Sequence, residues 1–205
     1  MRNRITITIL ALIVSPAAAA AGDIPMVGIG LPYAPETPTP LAATHPLYQR
    51  IDVVDIEGLP SIVKSTSLNW IGAAKRSSVN KALRDSLNDM HMLAPDATAA
   101  RVRLTARWVG SHTPIRIATR NRASVTLHYR LVRIDNGQEL FNREITTSVE
   151  GGGVEASMRG NGIARAAIAT NFASAANCLD RAAFGSAPAD CALVPKFSVS
   201  VERRR

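Results

Sequence analysis

The stretch SVTLHYRLVRIDNGQELFNREI, residues 124–145, decides the fold because it predicts one long β-hairpin. Apolar and polar side chains alternate from Val125 to Leu131, so the two sets lie on opposite faces of a strand. Asp, Asn and Gly follow at residues 135–137, a composition that is typical of a tight turn. The hairpin is therefore expected to have one apolar face, which joins a core, and one polar face.

The length of the turn sets the register of the two strands. A two-residue turn at 136–137 would place the apolar residues of the two strands on different faces. A three-residue loop at 135–137, with Gly137 in the left-handed conformation of a G1 bulge, places them on the same face. The pairs that this register predicts are Leu131 with Phe141, Leu127 with Ile145, Arg133 with Glu139, His128 with Glu144, and Arg130 with Asn142.

A second alternating strand, RVRLTARWV at residues 101–109, precedes the hairpin and carries arginines on its polar side. If the two are sheet neighbours, their cations gather on one open surface, where the planar guanidinium can bind two oxygens of a phosphate or carboxylate. The alternative is a solvated face whose charges only keep the protein soluble. The candidate residues for binding an anion or a partner are Arg101, Arg103, Arg107, His128 and Arg130.

The amino terminus, MRNRITITILALIVSPAAAAAG, predicts a signal peptide over residues 1–21. Arg2 and Arg4 precede an apolar run of about ten residues, shorter than the roughly 20 that a membrane helix needs. Small residues near Ala21 suit cleavage. The mature protein is therefore expected to be periplasmic or secreted, and not membrane-spanning.

The chain has two cysteines, Cys178 and Cys191. An oxidising compartment favours a disulfide between them, and the twelve intervening residues give enough slack to close the loop. A structural zinc site would need four ligands, and no third or fourth ligand is evident, so no metal is expected. Neither cysteine lies at the cleavage point, so no lipid anchor is expected.

Composition divides the rest of the chain. Residues 22–50 hold half of the prolines, which indicates a flexible leader, and an α+β domain is expected over 51–184, followed by a disulfide-linked basic tail at 185–205. Loss of the signal peptide lowers the formal net charge from +8 to +6. Nucleic-acid binding would fit this charge, but it conflicts with export and with an aromatic content of 4%, so no nucleic-acid partner is expected.

Three further segments complete the predicted fold. Residues 51–58 (IDVVDIEG) read as a short strand, and residues 69–95 (NWIGAAKRSSVNKALRDSLNDMHMLAP) read as an amphipathic helix that stops before Pro95. A second helix begins near Val154, with an apolar stripe over residues 164–179. The order β-α-β-β-β-α predicts an α+β fold, an antiparallel sheet with two helices packed on one face.

This order and three of its stretches resemble a family of small proteobacterial envelope proteins. The stretches are NKALRDSLNDMHMLAP, the hairpin quoted above, and MRGNGIARAAIATNFASA. Members of that family are often labelled UDP-N-acetylglucosamine acyltransferase, and they also resemble the auxiliary lipoproteins of ABC-type lipid transport systems. The resemblance implies a non-enzymatic accessory or binding protein of the cell envelope, linked to lipid transport or envelope assembly, with an anionic lipid or an envelope protein complex as partner.

The alternative is an enzyme that modifies an envelope glycan or lipid. Sugar-nucleotide acyltransferases of that label are β-helices built from hexapeptide repeats, and the chain has no such period. A different acyltransferase signature, His-x4-Asp, occurs at His91 and Asp96, but Pro95 breaks the segment. No Gly-x-Ser-x-Gly, Walker or His-Glu-x-x-His motif occurs, so we expect no catalytic residue and no cofactor. Convergence of His91 and Asp96 with a nucleophile would favour the enzyme.

Overall fold

The computed structural model describes residues 39–64, 72–112, 120–152, 156–185 and 191. The predicted signal peptide, the first part of the leader and most of the basic tail lie outside the described residues. The described elements are β1 (Ile51–Val53), β2 (Ile62–Lys64), β3 (Gly72–Lys75), α1 (Arg76–Asp89), β4 (Val102–His112), β5 (Arg120–Arg133), β6 (Glu139–Gly152) and α2 (Ala156–Ala182). The predicted α+β class, with two helices and one main sheet, is confirmed.

The main sheet has the strand order β1-β4-β5-β6. Strands β4, β5 and β6 are antiparallel neighbours, as the alternation predicts. Strand β1 differs, because it pairs with β4 in parallel. A parallel pair requires a crossover connection, and the chain between β1 and β4 supplies it through β2, β3 and α1.

The predicted register of the hairpin is confirmed over most of its length. Leu131 lies opposite Phe141, and the pairs Leu127–Ile145, His128–Glu144 and Arg130–Asn142 follow. Gly137 has a φ of 70°, the left-handed conformation that the loop requires. The expected pair of Arg133 with Glu139 is wrong: the register shifts between Leu131 and Val132, so Glu139 lies opposite Val132.

Helix α1 is shorter than the sequence pattern predicts. Residues 72–75 form β3, which pairs with β2 in a second, two-stranded sheet, so the helix begins at Arg76. At the other end, the Met92 N–H donates to the Leu87 carbonyl and His91 adopts a φ of 56°. These contacts turn the chain out of the helix before it reaches Pro95.

Helix α2 is the centre of the molecule. Every residue from 163 to 176 is buried, because β5 and β6 cover one side while α1 and β3 pack on others. A helix that is buried all round belongs to a core, and its many alanines suit that position. The predicted apolar stripe is only one part of this buried surface. The residues of the stripe are Ala164, Ile168, Phe172, Ala176 and Leu179.

One core lies on the inner face of the main sheet and includes buried residues of both helices. Leu127, Leu131 and Leu83 are buried together, as expected from their positions on the apolar faces. Trp108 is only partly buried, because the register of β4 and β5 shifts just beyond it, between Trp108 and Gly110.

Residues 39–50, at the end of the predicted leader, pack onto this core. Leu41 and Leu47 are buried, and the Leu41 N–H donates to the Met90 carbonyl at 3.1 Å. The Gln49 N–H donates to the His91 carbonyl at 2.7 Å. The core therefore extends upstream of Ile51, where the domain is predicted to start. Within the described part of the chain, no helix is long and apolar enough to cross a membrane.

Candidate functional site

The outer face of the main sheet is the side opposite helix α2. The helix lies against the other side, where the Thr147 hydroxyl donates to the Ala167 carbonyl at 2.8 Å. On the outer face, Arg103, Arg107 and Arg130 are exposed and His128 is partly exposed. The alternation of β4 and β5 thus places the predicted polar residues on one side of the sheet, as expected.

Directly opposed residues form rows across this outer face. Thr105 lies opposite Arg130, which lies opposite Asn142. The row beside it holds four charged or titratable side chains. In order across the sheet, that row is Glu57, Arg107, His128 and Glu144.

Glu57 reaches this row from the connection that follows β1. Its backbone N–H donates to the Ala106 carbonyl at 2.9 Å, and its carbonyl accepts from the Trp108 N–H at 2.8 Å. These two hydrogen bonds fix Glu57 beside Arg107. The sequence pattern did not indicate this neighbour, because fifty residues of chain separate the two positions.

Two of the predicted cations are held by carboxylates. The Arg103 Nε lies 3.0 Å from Asp52 Oδ2, and the Arg130 Nε lies 2.8 Å from Glu139 Oε2. The hydrogen bond from Arg130 is the largest cause that lowers the pKa of the Glu139 carboxyl, followed by the hydrogen bond from Asn142. Both arginines therefore already have an anionic partner on the sheet.

Arg101 is turned away from the centre of the outer face. Its guanidinium donates to the Thr98 carbonyl at 3.2 Å and to the Ala100 carbonyl at 3.3 Å, both in the loop before β4. Of the five candidate residues, only Arg107 and His128 face each other directly across two strands. Within the described ranges, Arg107 forms no ion pair.

The outer face is not uniformly cationic. Carboxylates lie along both edges of the sheet, while the cations occupy the two central strands, β4 and β5. The carboxylates are Asp52, Glu57, Glu139 and Glu144, and the exposed arginines of the central strands on this face are Arg103, Arg107, Arg122 and Arg130. An anion that approaches this face therefore meets a favourable potential only along the middle of the sheet.

A buried polar network lies beneath the sheet, between β5, β6 and α2. Asn171 accepts from the Tyr129 hydroxyl at 2.7 Å, and its amide donates to the Ile145 carbonyl at 2.8 Å and the Val125 carbonyl at 3.2 Å. Burial raises the pKa of the Tyr129 hydroxyl well above its usual value. The alternation placed Tyr129 on the apolar face, but the partner in α2 had no sequence signal.

The disulfide between Cys178 and Cys191 is present, as predicted, with the two Cα atoms 5.0 Å apart. It joins the end of α2 to the chain that follows. The Asn177 side chain donates to the Cys191 carbonyl at 2.7 Å, which supports the same connection.

His45, near the end of the predicted leader, is largely buried. Its side chain is only 8% exposed, and its Nε2 lies 2.9 Å from Asp180 Oδ1. The two atoms are at ion-pair distance, but their geometry is not that of a hydrogen bond. The Nδ1 accepts the Leu47 N–H at 3.1 Å, and the ring meets Phe184 edge to face. The contact fastens residues 39–50 to the end of α2.

The structure does not join His91 to Asp96 as a catalytic pair. The His91 ring stands edge to face against Tyr48. The Asp96 carboxylate instead accepts from Thr98 and Ala99, and the Thr98 hydroxyl is the largest cause of its lowered pKa. A carboxylate that is hydrogen-bonded within its own turn does not orient an imidazole as a general base. In the described residues, no cluster of three or more His, Cys, Asp or Glu could hold a metal.

No protein-family model matches the chain, and no curated protein matches it in sequence. Among solved structures, a Xanthomonas campestris protein of the DUF330 family aligns with a TM-score of 0.49 and 13% identity, over 72% of this chain and 91% of that one. A Caulobacter crescentus protein, provisionally described as a lipoprotein, aligns with a TM-score of 0.37 and 17% identity, over 62% and 86%. Similarities at this level do not assign a family or a function.

Proposed function

We propose that this protein is an exported, non-enzymatic binding protein of the cell envelope, which docks on an anionic partner through the outer face of its sheet. The observation that carries the proposal is the outer face, on which no described helix packs, with Arg107 and His128 opposed at its centre. Exposed side chains on such a face can meet a partner.

Export is supported by two features of the chain. The bond between Cys178 and Cys191 persists in an oxidising compartment such as the periplasm. The amino-terminal sequence has the charged start, short apolar run and small residues of a secretory signal. An accessory role beside lipid transport or envelope assembly is what the resemblance in sequence implies.

Anionic phospholipid is the partner that best suits this location and this chemistry. A basic side chain near an anionic membrane surface contributes about 1 kcal/mol, so a few contacts give reversible docking without an anchor. The carboxylates on both edges keep such docking weak and sensitive to salt. The arrangement of His91 and Asp96 gives no support to an acyltransferase-like activity.

The proposal is tested by co-sedimentation of the mature protein with phosphatidylglycerol and phosphatidylcholine vesicles at low and high salt. The informative variant is Arg103→Gln/Arg107→Gln, which removes two positive charges from the outer face. Its matched control is Arg84→Gln/Arg181→Gln, which removes two positive charges elsewhere. Arg84 is paired with Asp55 much as Arg103 is paired with Asp52, so each variant breaks one ion pair.

The wild type and the control should bind phosphatidylglycerol vesicles in a salt-dependent way, and the outer-face variant should lose most of that binding. Equal binding by the two variants, or equal binding to both lipids, would contradict the proposal.

A further inference from the structure

Among the described residues of the outer face, Arg107 and His128 are neighbouring basic side chains that could share a ligand. Arg101 is hydrogen-bonded to the loop before β4, while Arg103 and Arg130 are each paired with a carboxylate. Arg107 and His128 remain, and they are direct partners in the antiparallel ladder of β4 and β5.

The distance between these two positions suits one small anion. Cβ atoms of directly opposed residues in an antiparallel pair lie about 4.5–5.5 Å apart and point to the same side. A phosphate above that point can receive two N–H groups from the fork of Arg107 and one from the ring of His128. Both side chains project from paired strands, so binding orders the side chains and not the backbone.

Charged neighbours limit the site to a single anion. Glu144 of β6 lies opposite His128, and Glu57 lies on the far side of Arg107. Arg130 lies two residues along β5, and Glu139 is close enough to interact electrostatically with His128. These are the charged groups of the described elements around the ring; α2 lies beneath the sheet. Carboxylates on both sides of the Arg107–His128 pair repel any second anion.

An arginine is always charged, whereas a histidine ring is charged only when it is protonated. Histidine is the side chain whose ordinary charge change falls between about pH 5 and pH 8, and only its protonated ring donates from both nitrogens. With a neutral ring, Arg107 stands alone between two carboxylates. With a protonated ring, two adjacent cations face the ligand.

We propose that Arg107 and His128 form a binding site for one phosphate group, that of an anionic phospholipid head group, and that protonation of the imidazole controls its occupancy. The inference rests on the proposed function, since it names the contact and the regulation of that docking face. Arg103 and Arg130 are held by their ion pairs and Arg101 by the loop before β4, and none of the three contacts the lipid.

The test measures the affinity of the mature protein for phosphatidylglycerol vesicles at about pH 5.5 and pH 8. We compare wild type with His128→Gln and Arg107→Gln, and we use Arg130→Gln as the matched control because it removes a neighbouring cation that is already paired. Thermal unfolding of each variant checks that it is folded.

The wild type should bind about five-fold more tightly at the lower pH, the effect of one added charge near an anionic surface. His128→Gln should bind equally and weakly at both values, and Arg107→Gln should lose binding at both. Arg130→Gln should keep the pH dependence.

The phosphate site and the proposed function can be refuted separately. Wild-type binding that is salt-dependent, but whose pH dependence survives in His128→Gln, would overturn this site and leave the proposed function standing. Equal losses in Arg107→Gln and Arg130→Gln would also overturn the site. Absence of wild-type binding at both pH values would overturn the proposed function together with it.

Discussion

The buried contact between Tyr129 and Asn171 gives a sharp test of how the sheet is fastened to its central helix. Tyr129→Phe removes one hydroxyl and leaves the Asn171 Oδ1 without its 2.7 Å donor. A buried polar atom that loses its partner costs about 1–3 kcal/mol, so the free energy of unfolding should fall by that amount. The phenyl ring still fills the site, and no cavity term is added.

Asn171→Leu is the complementary change. It leaves the Tyr129 hydroxyl without its acceptor and removes the amide that donates to the Ile145 and Val125 carbonyls. Those carbonyls have two lone pairs each and keep their place in the ladder. The unpaired hydroxyl therefore accounts for the larger part of the loss in the free energy of unfolding. The double variant should therefore be less destabilised than the sum of the two single variants, by about 0.5–3 kcal/mol.

Urea unfolding of the oxidised mature protein measures these differences, provided that the slope with denaturant is unchanged between variants. A loss below about 0.5 kcal/mol for Tyr129→Phe is the size expected of a surface change. That result, or strict additivity in the double variant, would refute the buried network.

Three further predictions concern the core, the disulfide and the buried hydroxyl. Leu127→Ala should destabilise the protein by about 2–5 kcal/mol in the same urea assay, because the side chain is fully buried; a loss below about 0.5 kcal/mol would mean that the faces of β5 are reversed. Mass spectrometry of periplasmic material should show a gain of about two daltons on reduction, as Cys178 and Cys191 become thiols, and two free thiols before reduction would disprove the bond. Since burial raises the pKa of Tyr129, only the unfolded state ionises near its usual value of about 10, so stability should fall as pH rises above that value. Tyr129→Phe should show a smaller fall, and an equal fall in both proteins would exclude Tyr129 as its source.

Local alternation was enough to predict the hairpin. The period of two fixed which residues of β5 face the core, and the predicted register holds from Leu131 to Leu127. The pair at Arg133 was missed because the loop closes between Arg133 and Gln138, one residue longer than predicted, and the shift between Leu131 and Val132 compensates for that residue. Local pattern could not give the parallel pairing of β1, since that depends on where the crossover returns the chain.

Helices were harder to delimit than strands. The start of α1 was placed too early because residues 72–74 are glycine and alanine, which give no clear helical or strand pattern. The burial of α2 on all sides from residue 163 to residue 176 was missed because alanine is compatible with both a buried and an exposed surface. In each case the deciding contacts are tertiary, β2 on β3 and the sheet on α2, and they leave no local periodic signal.

The sequence placed the cations and Glu144 on one face, but it missed the carboxylates beside β4. Parity alone placed Arg107 and His128 on one face, and their direct opposition followed once β4 and β5 were adjacent. The carboxylates of Asp52 and Glu57 arrive from a different part of the chain, through the parallel pairing of β1 and the bridge beyond it. They change the face from a uniform basic surface to a narrow cationic centre between acidic edges.

Arginine footprinting by phenylglyoxal and mass spectrometry, on the wild-type mature protein with and without phosphatidylglycerol vesicles, tests the docking face most directly. Arg107 is exposed on the outer face, and Arg181 is exposed at the end of α2, so both should react in free protein. Vesicles should protect Arg107 and leave Arg181 unchanged, and high salt should abolish the protection. Equal protection of the two residues, or protection of Arg181 alone, would contradict docking through the outer face.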